Sequence, residues 1–230
     1  MRPALLALLP ALFAPSVAAA PVCNLPGDIR PAPAVSAPNP AVRRVPTAYY
    51  MLALSWSPEW CRTHPGSRAD ALQCGGNRFR FVLHGLWPNG SRRTHPGYCA
   101  PAPAIPFEVL RKHLCMTPSP SLMQHEWAAH GTCGWRDSGA YFDQAAALWN
   151  SLRLPSLEDD RTRPRTAGEL RAAFARANPG LPRSAVFVDL DNRRRLTEAR
   201  ICYDLRFRPA ACPAGRGAPD ELAIRITPPA

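Results

Sequence analysis

The stretch "TAYYMLALSW" (residues 47–56) is apolar and aromatic. A proline-rich run precedes it, and a polar, turn-rich segment bracketed by Cys61 and Cys74 follows it. A short apolar run with such borders reads as a buried strand. Working outward, "NRFRFVLHGLW" (residues 77–87) alternates polar and apolar side chains at Arg78, Phe79, Arg80 and Phe81, which predicts a second strand. The turn signal Trp87-Pro88-Asn89-Gly90 ends it. Helical segments follow. "PFEVLRKHL" (106–114) has Pro106 near its start, and "SPSLMQHEWAAHG" (119–131) opens on a serine cap and closes at Gly131. "GAYFDQAAALWNSL" (139–152) is an alanine-rich third helix, and "TAGELRAAFARANPG" (166–180) is a fourth, stopped at Asn178-Pro179-Gly180. The chain then returns to strand in "SAVFVDL" (184–190), turns at Asp191-Asn192, and continues as "LTEARICYDLRF" (196–207). Strands, then helices, then strands predict an α+β fold: a mostly antiparallel central sheet flanked by helices in one domain.

The 230 residues suffice for one domain and a targeting segment. Residues 1–20 read as an export signal, with Arg2 at the start, an apolar centre at 5–13 and a small-residue cleavage region near Ala18 or Ala19. The apolar run is too short and too proline-broken to span a bilayer. Val22 before Cys23 argues against a lipoprotein signal, so no membrane anchor is expected. Residues 21–46 read as a proline-rich extended arm and 47–230 as the main folded domain.

Eight cysteines without any C-x-x-C pair suit an exported, periplasmic or secreted protein with structural disulfides better than a zinc site. Spacing alone leaves their connectivity open. The formal charge is +11, and Lys112 is the only lysine among 28 basic side chains. That balance favours a polyanionic partner, although biased base composition in the source genome would also enrich arginine.

"LMQHEWAAHGTCGW" (residues 122–135) carries two of the six histidines. The metalloprotease motif H-E-x-x-H places its histidines four apart. His125 and His130 are five apart, roughly 140° around a helix, too splayed to grip one ion. Glu126 and His130, four apart, share a face, with His125 one step round. Such a fan suits a phosphate. Metal-free RNA cleavage needs a base for the ribose 2′-OH, an acid for the 5′ oxygen, and donors for the charge on phosphorus. Histidine suits both proton roles because its ordinary pKa lies near working pH. His84 in "FVLHGLWPNG", near a strand end beside Gly85, is the expected third histidine. His64, His95 and His113 lack such surroundings and read as ordinary structural or solvated residues.

"FVLHGLWPNG" and "QHEWAAHGTC" resemble the two active-site segments of the ribonuclease T2 family, endoribonucleases with little base preference. The layout is closest to the bacterial periplasmic ribonuclease I type. "YYMLALSWSPEWC" resembles the family's first core strand, "CMTPSPSLMQHEW" the approach to the second motif, and "TEARICYDLRFRPAACP" its last strand pair. The resemblance implies His130 as general base, His84 as general acid, and His125 and Glu126 as supports of the phosphate. It implies cleavage of single-stranded RNA to a 2′,3′-cyclic phosphate and slower hydrolysis to a 3′-phosphate, with no metal or other cofactor. Trp87 is implied as a base site and Asn89 as a weaker one, whereas Trp127 reads as core. The implied disulfides are Cys99–Cys133, Cys202–Cys212, Cys61–Cys74 and Cys23–Cys115. Monomer is the default state.

One position departs from the family pattern. Lysine commonly precedes the last histidine of the second motif, and here Ala129 stands there. Loss of one transition-state donor typically costs about 10² to 10³ in rate when nothing replaces it. Two alternatives follow: a catalytically weakened RNA-binding family member, and a metallohydrolase that the histidine spacing disfavours. An optimum on the acid side of neutral is expected, since one histidine must be charged while another is neutral.

Overall fold

The computed structural model describes residues 23–37, 43–91, 94–213, 215 and 217–229. The predicted export signal, residues 1–20, lies outside the described residues. The described parts of the proline-rich arm hold no helix, turn at Gly27 and Asp28, and bridge from Arg43 to Gly97; Leu25, Ile29 and Val35 pack against the core.

The sheet is antiparallel, in the order β2-β1-β4-β3, with β1 (Tyr49–Trp56), β2 (Phe81–Asn89), β3 (Val186–Leu190) and β4 (Leu196–Tyr203). β1 is largely buried on both faces because it is central and covered on both sides, which is why its sequence is apolar but for Ser55. Leu52, Leu54 and Trp56 point into the main core with Phe81, Leu83 and Leu86 of β2. The opposite face carries a small cluster at one end, Tyr49 and Met51 against the Cys202–Cys212 disulfide. Its other end is polar.

The helices are α1 (Ser57–Thr63), α2 (Ala71–Cys74), α3 (Phe107–His113), α4 (Pro120–Ala129), α5 (Ser138–Ser151) and α6 (Ala167–Ala177). Local chemistry sets their starts. Ser119 Oγ accepts from Leu122 N–H at 3.2 Å, Asp137 Oδ1 from Ala140 N–H at 2.8 Å, and Thr166 Oγ1 from Glu169 N–H at 3.2 Å. Gly131 follows α4 for packing: a Cβ there would lie 2.9 Å from Tyr141 Cγ and collide with Trp127.

The segment after β1 differs from the turn-rich reading, because it holds α1 and α2. Both are too short to display a helical period. Pro58 occupies the first turn of α1, and Cys61–Cys74 clamps the pair. β2 starts at Phe81, later than the Arg78–Phe81 alternation suggests, and runs through Pro88 to Asn89. An edge strand tolerates this proline. The open edge of β2 is satisfied from outside: Leu83 N–H donates to the Met116 carbonyl (2.8 Å) and Leu86 N–H to the Tyr141 hydroxyl (3.0 Å). This docking carries α4 alongside β2.

Four disulfides close the fold, Cys23–Cys115, Cys61–Cys74, Cys99–Cys133 and Cys202–Cys212, the same pairs that the family resemblance implies. Among the described residues, no helix is long and apolar enough to cross a membrane.

Candidate active site

The site begins with an irregularity in β2. Ala53 pairs with Gly85 but Leu54 pairs with Leu83, so His84 is the extra residue of a β-bulge. On a regular strand, residues three apart face opposite sides. The bulge reverses that parity, and His84 and Trp87 meet on one face with ring centroids 5.1 Å apart. Freed from a cross-strand partner, the imidazole is aimed by its surroundings.

Two carboxylates hold it. Glu126, from the middle of α4 and 1% exposed, places Oε1 3.4 Å from His84 Nε2. Its Oε2 accepts from Trp87 Nε1–H at 2.7 Å and lies 3.9 Å from His130 Nε2. Gly85 makes this approach possible: a side chain there would collide with the Glu126 carboxylate and stand 2.8 Å from Trp87 Nε1. The backbone at Gly85 thus yields to a carboxylate of the protein itself. From β4, Glu198 Oε1 lies 2.5 Å from His84 Nδ1. Ser55 Oγ donates to that same oxygen (3.1 Å), and Arg200 Nε donates to Glu198 Oε2 (2.7 Å).

Electrostatics separates the two histidines. Burial alone would lower the His84 pKa, but Glu126 and Glu198 outweigh it and raise it to about 10. His130 moves the other way. Burial lowers it, Glu126 only partly offsets this, and His125, His95 and His84 push further down. Glu126 stays below the ordinary carboxylate value despite burial because His84 and His130 face it and His84 and Trp87 donate to it. Glu198, also against the effect of burial, is held at about 2 by His84 and Arg200. Near neutral pH the cluster therefore contains a charged His84, a neutral His130 and an ionised carboxylate between them. Environments that drive two titratable groups apart in this way mark an acid and a base.

The other anticipated residues are placed as follows. His125 is exposed on the outer side of α4, its ring 6.3 Å from Tyr98. Trp87 stands between His84 and His130, 5.5 Å from the latter, with the Arg200 guanidinium 4.9 Å over its ring. Asn89 donates to the Trp87 carbonyl at 2.9 Å. Trp127 is in the core. Ala129 is buried, and its carbonyl accepts from Tyr98 N–H at 3.0 Å. His113 is buried against Asp143. Among the described residues, no three His, Cys, Asp or Glu side chains converge as a metal-ligand set.

Sequence reading missed Glu198, Arg200 and Ser55. A signal existed: Glu198 and Arg200 alternate on one face of β4, and two charges at period two in a central strand demand partners. It also missed α1's contribution. Trp60, 43% exposed and stacked on His64 at 3.8 Å, walls a cleft of about 390 Å³ that opens beside His84, Trp87 and Glu198.

A model of the ribonuclease T2 family matches residues 47–173, more than half of the chain. The chain belongs to the ribonuclease T2 family. His84, His125, Glu126 and His130 lie inside the matched stretch, whereas Glu198 and Arg200 lie beyond it. A probable ribonuclease of Haemophilus influenzae is 35% identical over 181 residues, covering 74% of this chain and 62% of that protein. A ribonuclease of Aeromonas hydrophila is 44% identical over 85 residues, 37% of each chain. The chain thus spans less than two-thirds of the length of either relative. Among solved structures, trichomaglin, described as an S-like ribonuclease, superposes with a TM-score of 0.63 at 17% identity, over 80% of this chain and 98% of that one. RNase NT, solved with 5′-AMP, gives 0.56 at 19% identity over 80% and 100%. At such identities the likeness is one of fold.

Proposed function

We propose that this family member is an endoribonuclease that cleaves single-stranded RNA with little base preference and without a metal. The observation that carries the reading is the pair of histidines on the two oxygens of the buried Glu126, His84 Nε2 at 3.4 Å and His130 Nε2 at 3.9 Å, which burial and charge drive apart in pKa. His130, neutral, takes the proton of the 2′-OH. The 2′ oxygen forms its bond to phosphorus as the bond to the 5′ oxygen breaks, and His84 delivers its proton to that leaving oxygen. The products are a 2′,3′-cyclic phosphate and a free 5′-OH. Water then opens the ring with the proton roles reversed, leaving a 3′-phosphate.

His125, on the exposed side of α4, meets the phosphate from solvent, and Glu126 sets the charge of both proton-transfer groups. Trp87 and Asn89 remain the proposed base contacts, with the indole shared between a base and Arg200. Solved relatives of the same fold were crystallised with 5′-AMP and 5′-UMP, which supports nucleotide binding on this scaffold. Four disulfides support export through the signal at residues 1–20, to the periplasm or the medium, and a monomer is the simplest state.

The test uses oxidised protein, a defined RNA oligonucleotide and EDTA, with product ends identified by mass. Cyclic phosphate ends that vanish in His130→Ala and His84→Ala support the reading. Chelator-sensitive cleavage, or products lacking cyclic ends, would overturn it. RNA bound tightly and left intact would instead support the alternative in which Ala129 marks a weakened enzyme.

A further inference from the structure

We propose that Glu198 is the positioning residue of the acid: it holds Nδ1 of His84 so that Nε2 presents its proton to the leaving 5′ oxygen. The inference rests on the acid role of His84 proposed above and adds a residue outside the stretch matched by the family model.

The bulge creates the need. His84 has no register partner on β1, so pairing across the sheet does not fix its ring. Glu198 supplies the constraint at 2.5 Å. The carboxylate is itself fixed at both oxygens, by the Ser55 hydroxyl on one and Arg200 Nε on the other, and Arg200 is fixed in turn by Asp189 Oδ2 at 2.7 Å. The chain Asp189–Arg200–Glu198–His84 thus runs from β3 through β4 to β2, reaching across β1. An ionised carboxylate only accepts, so Nδ1 must be the donor in this contact. That fixes the ring's orientation and leaves Nε2 for the substrate, where the contact to Glu126, 3.4 Å, is long enough to yield. A buried carboxylate that orients an imidazole and stabilises its charged form is a known device of acid–base catalysis.

Other charged groups face this pair. Glu126 comes from α4, His130 follows that helix, Arg200 neighbours Glu198 on β4, and Asp189 lies on β3. Glu59 comes from α1, His64 follows that helix, and Asp191 follows β3; all three line the adjoining cleft. Of these, Glu126 touches Nε2 and Glu198 alone touches Nδ1 among carboxylates, so the two have separable roles.

The test compares two substrates on each preparation: a dinucleoside monophosphate, whose alkoxide leaving group needs a proton, and a nucleoside 3′-(4-nitrophenyl) phosphate, whose phenolate does not. The ratio of the two rates is independent of the folded fraction, so a partly unfolded variant still gives an answer. Glu198→Gln is expected to lower that ratio, through kcat, by about 10- to 10²-fold, part of the 10²–10⁴ that general acid catalysis typically contributes. Its alkaline limb should also move to lower pH, Glu198→Asp should recover part of the loss, and His84→Ala/Glu198→Gln should be no worse than His84→Ala. An unchanged ratio in Glu198→Gln, with both rates normal or both equally reduced, overturns the proposal. If His84→Ala itself leaves the ratio unchanged, the acid assignment fails, and the inference fails with it.

Discussion

Replacing Gly85 with alanine tests the geometry of the site most directly. The new methyl group would enter the Glu126 carboxylate and stand 2.8 Å from both Glu126 Cδ and Trp87 Nε1. Glu126 is 1% exposed and has no route to solvent that keeps its contacts with His84, Trp87 and His130. Either the carboxylate leaves its partners or β2 shifts and breaks its register with β1. Separating a buried charge from its partners costs about 3–5 kcal/mol, which for a chain of this size corresponds to a melting temperature lower by roughly 6–20 °C. Activity should fall further than stability, because His84 loses one of the two carboxylates that keep it protonated. Thermal melts followed by circular dichroism, with RNA cleavage measured well below the transition, give both quantities. Gly76→Ala is the control, since a Cβ there meets nothing within 4 Å. If Gly85→Ala melts within about 2 °C of the control and cleaves RNA as fast, the packed carboxylate is not what Gly85 is for.

Three further predictions follow from the site. The pH–rate profile should be broader than the acid-side optimum expected from two ordinary histidines. The rate falls as pH drops through the lowered pKa of His130, below 6.5, and falls again only as pH rises through that of His84 near 10; a narrow maximum near pH 5 would contradict this order. Cys99→Ala/Cys133→Ala removes a cross-link between residues 34 apart, worth roughly 3–4 kcal/mol by chain entropy. Since it anchors the turn after His130, RNA cleavage should fall well below the transition too, and unaltered cleavage kinetics would refute the anchoring role. Ala129→Lys should raise kcat by supplying the missing cation, up to about 10²-fold; an unchanged rate would mean that another group already serves.

Much of this fold was legible because its determinants are local. β1 reads as a buried strand because burial on both faces leaves Ser55 as the one polar side chain in the run, and α4 reads from Ser119 and its flanking prolines. What escaped depends on partners distant in sequence. α1 and α2 are held by Cys61–Cys74, whose pairing spacing cannot establish. The β-bulge is invisible in "FVLHGLW", because a strand's alternation says nothing about the register of its neighbour. The identities of His84, Glu126 and His130 were readable as chemistry. Their arrangement was not, since strict alternation would put His84 and Trp87 on opposite faces, whereas the extra residue brings them together.

The distribution of charge completes the physical picture. The chain carries a formal charge of +11, yet the groups around His84 include Glu126, Glu198 and Asp189, with Arg200 among them. A carboxylate-rich floor is a poor phosphate site on its own. Under the proposed function the two requirements are reconciled by separation: the arginine-rich chain draws in a polyanion over distances of a Debye length, about 8–10 Å, while buried carboxylates tune protons at contact range. Salt should therefore weaken capture of RNA, seen in KM, far more than it alters kcat, because the exposed charges are screened and the buried His84–Glu198 and His84–Glu126 contacts are not.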